Sequence, residues 1–104
     1  MNNKEPANTA KLILMFFYAS WAPQSLALLP LLAEIENEKK STMLVYDLDI
    51  DKEKSLSNKY SVESAPTAIL IKNDAVVGRL IGVSNRLDLL SFIKSTTKNI
   101  KEVN

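Results

Sequence analysis

The sequence predicts an α/β domain in which helices flank a mixed central sheet of four to five strands, and three observations lead there. LILMFFYA at 12–19 is a continuous apolar run, the pattern of a strand covered on both faces. Strand-length apolar runs then alternate with stretches of helical period, in the order strand, helix, strand, helix, strand, strand, helix. Finally, APTAILIKNDAVVGRLIGV at 65–83 divides into two apolar runs around Asn73-Asp74, a turn pair that reads as a β-hairpin. A right-handed β-α-β unit followed by a hairpin gives a sheet with both parallel and antiparallel pairs.

At 104 residues the chain fits one domain with a single core. Residues 1–10, MNNKEPANTA, are polar with no apolar period and read as an N-terminal tail, the domain itself as 11–96, and residues 97–104 as a C-terminal tail. After the first strand, Pro23 suits the first turn of a helix, where its missing N–H costs nothing. Leu26, Leu29, Leu32, Ala33 and Ile35 give that helix an apolar stripe, and Pro30 inside it predicts a kink. TMLVYDLDI at 42–50 is the second strand. The polar helix after it, capped by Asp51, buries Leu56 and Tyr60. Ser84 or Asn85 caps the last helix, whose stripe is Leu87, Leu90 and Ile93 and whose Lys94, Lys98 and Lys101 form a solvated end.

Composition removes more chemistry than any motif adds. The chain has no cysteine and no histidine, which excludes thiol redox, zinc held by thiolate or imidazole, and any imidazole-based triad. A net charge of +1, from 13 basic and 12 acidic residues, gives no electrostatic footprint for nucleic acid or an anionic membrane. No cofactor is implied. Asp47, Asp49 and Asp51 alternate and could hold a divalent cation, but the glycine turn and distal glutamate of a calcium loop are missing, so they read as a solvated face. LVYDLDID also has the Asp-x-Asp of haloacid-dehalogenase-type phosphatases, without the turn and later residues that chemistry needs. A cysteine-free chain fits a reducing compartment, so the expected location is cytoplasmic. The run 12–19 also resembles the front of a signal peptide, with a poor cleavage site at Ala19–Ala22; a secreted or tethered protein is the alternative.

FYASWAPQS at 17–25, Pro30, VYDLDID at 45–51, KYSVESAPT at 59–67, IKND at 71–74 and Gly82 together resemble the thioredoxin family, without a gap from about Leu12 to Lys94. The resemblance implies a thioredoxin-like fold, a cis peptide bond before Pro66, and a groove for extended peptides formed by Trp21, Ala22, Pro23, Gln24, Ser25, Ala65, Pro66 and Gly82. It also implies a Cys-x-x-Cys site at the end of the first strand. Here those two positions are Ala22 and Ser25, so the attacking thiol is a methyl group and the resolving thiol a hydroxyl with no imidazole to take its proton. The family's buried aspartate and nearby lysine correspond to Phe16 and Asp47.

These residues leave three functions open. One is a redox-inactive thioredoxin-like module that keeps the groove for a protein or peptide partner. The second is a thiol-disulfide oxidoreductase whose cysteines have been substituted at Ala22 and Ser25, which would make it an enzyme only with those thiols restored. The third is a structural subunit. The family's first strand and helix have no counterpart in ten residues, so strand 43–50 becomes a sheet edge that either pairs with another chain, as in a homodimer, or is covered by residues 1–10.

Overall fold

The computed structural model describes residues 11–83 and 85–103. Strand β1 (Leu12–Tyr18) is followed by helices α1 (Pro23–Leu26) and α2 (Leu29–Glu38), strand β2 (Met43–Asp49), helix α3 (Lys54–Lys59), the hairpin β3 (Thr67–Lys72) and β4 (Ala75–Ile81), and helix α4 (Arg86–Val103). The four strands form one sheet in the order β2-β1-β3-β4, with β1 and β2 parallel and the other two pairs antiparallel.

The apolar run of β1 has the position its composition predicts, inside the sheet with a core on each face. Leu12, Leu14 and Phe16 pack with Leu28, Leu31, Leu32 and Ile35 of the α1–α2 region and Leu89 and Ile93 of α4. On the opposite face Phe17 packs with Val62, Ile69 and Ile71, with Leu56 and Tyr60 half-buried against them. The period of two in a strand sends neighbouring side chains to opposite faces, so a central strand must be apolar throughout.

Pro30 breaks the first helical stretch where a kink was expected. A proline has no N–H to donate and its ring crowds the carbonyl four residues back, here Leu26, the last residue of α1. The chain restarts as α2 with Pro30 in its first turn, where proline is tolerated. The restart also rotates the buried stripe, which is Leu28, Leu31, Leu32 and Ile35, while Leu26 and Ala33 are exposed.

The last helix differs from its expected pattern in two ways. Leu87 is exposed, and the buried stripe is Leu89, Ile93 and Thr96, spaced by four and three, with Ile100 one turn further on. The helix also runs to Val103, so residues 97–103 are helical where a tail was expected. Asn85 is the cap, its Oδ1 accepting from the Asp88 N–H at 2.9 Å; the alternative, Ser84, lies outside the described residues. Asn73 and Asp74 take φ of 53° and 67°, both left-handed, which closes the β3–β4 hairpin as a two-residue turn. Among the described residues β2 lies at the sheet edge; the tail expected at 1–10 lies outside them.

Candidate functional site

Strand directions bring the expected site residues to one end of the sheet. β1 and β2 are parallel with Tyr18 opposite Asp49, so both end there. β3 starts at that end, with Thr67 opposite Phe17, and β4 finishes there, with Ile81 opposite Thr67. The loop after β1 with Trp21, the start of α1 with Ala22 to Ser25, the Ala65–Pro66 segment and Gly82 are therefore neighbours in the fold although they lie up to 61 residues apart in the chain. The Ala65–Pro66 bond is cis, and the Pro66 carbonyl accepts from the Gly82 N–H at 2.9 Å. Gly82 has φ of 74°, a conformation glycine adopts without steric cost.

The junction between β1 and α1 is built around Ser25. Its side chain is fully buried; the hydroxyl accepts from the Ala19 N–H at 3.1 Å and can donate to the carbonyl of Ala19 (3.0 Å) or of Ala22 (2.9 Å). The Ala22 N–H closes the same turn onto the Ala19 carbonyl. A hydroxyl committed in this way is a clamp on the loop and, with no base beside it, no nucleophile. Ala22 is buried at the N-cap of α1 and contributes no side-chain hydrogen bond there. Ser25→Ala leaves the buried Ala19 N–H without its acceptor and should lower stability by about 1–3 kcal/mol. A urea titration checks this; an unchanged midpoint would mean the hydroxyl clamps nothing.

Around this junction several side chains lie at the surface. Trp21 is 69% exposed, so it is no core residue, and its indole Nε1 donates to Asp51 Oδ2 at 2.9 Å. Pro23, Gln24 and Gly82 are exposed, Ala65 is half-buried and Pro66 is buried. Ile81, 65% exposed, adds a second large apolar side chain next to Gly82. It escaped sequence reasoning, because a strand-end isoleucine looks like one more core residue in RLIGV. Its place one residue before the turn glycine was the available signal.

The aspartates also do something other than expected. Asp51 caps no helix: α3 begins at Lys54 with Glu53 at its N-cap and no side-chain cap bond. Asp51 instead holds Trp21, while the buried Asp49 accepts the Asp51 N–H at 2.9 Å and shapes the loop that presents it. Asp47 is exposed on β2, directly across from Phe16 in the parallel register. Phe16 is fully buried in the core, with no polar group at its position to accept a proton. Among the described residues no three His, Cys, Asp or Glu side chains converge as metal ligands would.

The comparisons with known proteins agree with this geometry. The thioredoxin family model matches residues 2–95. The chain is 31% identical over 83 residues to a thioredoxin of Buchnera aphidicola, covering 80% of this chain and 76% of that one. It is 33% identical over 89 residues to thioredoxin Y2, chloroplastic, of Arabidopsis thaliana, where the match spans 86% of this chain and only 53% of the plant protein. Among solved structures, Fasciola hepatica thioredoxin superposes with a TM-score of 0.78 at 26% identity, over 88% of this chain and 86% of that one.

Proposed function

Since the chain belongs to the thioredoxin family, we propose that it is a redox-inactive member whose former thiol site binds an extended apolar segment of a protein partner. One observation carries the reading: the reactive positions are filled by Ala22 and a fully committed Ser25, while Trp21 and Ile81 stay exposed on the same end of the sheet. A site that had lost its use altogether would be under no pressure to keep two large apolar side chains in water, and an apolar segment docked there would cover them. The Trp21–Asp51 hydrogen bond supports the same reading, because an oriented indole presents a flat apolar face at little entropic cost.

Against an oxidoreductase with substituted cysteines stands Phe16, which fills with hydrocarbon the place where the family keeps its proton acceptor. Cysteine codons at positions 22 and 25 of the native gene would reverse that judgement. A cytoplasmic location belongs to the proposal; among the described residues no helix is long and apolar enough to cross a membrane.

The test is a titration of the isotope-labelled chain with a panel of extended apolar peptides, followed by amide and indole chemical shifts. Saturable shifts are expected at the Trp21 indole and at the amides of Ala65, Ile81 and Gly82. Shifts confined to other surfaces, or none, would contradict the reading.

A further inference from the structure

Among the described residues no strand pairs with the outer edge of β2, and that edge is complementary to a second copy of itself. In the parallel pair, the Thr42 carbonyl accepts from the Leu12 N–H and the Ile50 N–H donates to the Tyr18 carbonyl, so the even-numbered residues of β2 turn their backbone groups toward β1. The odd-numbered residues Met43, Val45, Asp47 and Asp49 therefore turn theirs outward. Two of those outward groups are already used: the Met43 N–H bonds the Lys39 carbonyl, and the Asp49 carbonyl accepts from Lys52 and Glu53. Left without partners among the described residues are the Met43 carbonyl, both groups of Val45, both groups of Asp47 and the Asp49 N–H.

We propose that two copies pair antiparallel through β2 in the register that sets Tyr46 opposite Tyr46 of the second copy. In that register Val45 and Asp47 exchange both hydrogen bonds with Asp47 and Val45 of the other copy, and each Asp49 N–H meets the other copy's Met43 carbonyl. The open donors and acceptors are all matched, and the groups already used are the ones that face each other unbonded. A shift of two residues one way puts Asp47 opposite Asp47, a like-charge clash; a shift the other way leaves the Asp47 carbonyl facing the occupied Met43 N–H.

Side chains favour the same register. Asp47 lies opposite Val45 and the buried Asp49 opposite the buried Met43, so no carboxylate directly faces another. On the other face Leu44 and Leu48, half-buried, meet each other across the seam on either side of the Tyr46 pair, which is 46% exposed in one copy. Those non-hydrogen-bonded positions bring side chains closest together. The interface is at the opposite sheet edge from β4 and does not depend on the groove reading.

Light scattering across a concentration series of the full chain tests this. A mass of twice 11.6 kDa is expected at the higher concentrations, with slowed amide exchange at Val45 and Asp47. Asp47→Pro removes only an outward N–H, since position 47 donates nothing to β1, and should raise the dissociation constant by more than about tenfold without disturbing the sheet. Tyr46→Lys acts through the side chain alone, setting two ammonium groups face to face, and should do the same. A chain that stays monomeric overturns the proposal, whether its edge amides exchange freely or are covered from within. So does a dimer that both variants leave intact.

Discussion

Phe16→Asp is expected to abolish cooperative folding at neutral pH. Phe16 is fully buried between Leu14, the α2 leucines and α4. Truncating a buried phenylalanine alone costs about 3–5 kcal/mol, and burying a carboxylate with no partner adds a desolvation penalty of several kcal/mol. Against a typical domain stability of about 5–15 kcal/mol, little or nothing is left. Phe16→Leu, which keeps most of the packing, should remain folded, so a urea titration of the two variants separates polarity from size. An aspartate variant as stable as the parent would mean that the core still holds room and solvation for a carboxylate, and that the site beneath the junction is less altered than its burial indicates.

The second large effect concerns chemistry. Ala22→Cys with Ser25→Cys puts a dithiol back at the junction, yet reduction of a protein disulfide by this variant should be at least ~10²-fold slower than by a family member with its own Cys-x-x-Cys pair, because positioned general acid–base catalysis contributes about 10²–10⁴ and Phe16 supplies none. The slot of Ser25 is also cut to a hydroxyl, with polar contacts of 2.9–3.1 Å, and sulfur is larger and a weaker hydrogen-bonding atom. A rate within about tenfold of the relative would show that only the two sulfurs separate this chain from catalysis.

Much of the fold was legible because its signals are local. The two-faced apolar run of β1, the Asn73-Asp74 turn and the three- and four-residue spacings each name their element from a short window. What failed was the choice of face. Pro30 resets the helical phase between Leu26 and Leu28, and no periodicity count that treats 23–38 as one helix can recover the buried stripe. In α4, Leu87 and Leu89 both fit an apolar stripe, and only the packing against the sheet decides that Leu89 is inside.

For the site, the missing sulfurs could be located from Trp21, Pro30, Pro66 and Gly82, since those residues keep their spacing. The roles of Ser25 and Asp51 could not. Ser25 finds Ala19 across a turn, and Asp51 finds Trp21 because β1 and β2 end side by side. Both contacts arise from topology. Ile81 reaches the site in the same way, through the hairpin register that returns β4 to the start of β3.

Ile81 also offers the most direct measurement of the central claim, that the reactive site has become a binding surface. Its side chain is exposed, so Ile81→Lys should leave the urea midpoint unchanged while placing a charge on the apolar rim. Calorimetric titration of parent and variant with the same extended apolar peptide compares them directly. The predicted result is saturable one-to-one binding by the parent, equal in reducing and oxidising buffer, and a loss of affinity of about tenfold or more in the variant. Equal affinity of the two proteins, or no binding by the parent to any of the peptides, would contradict it.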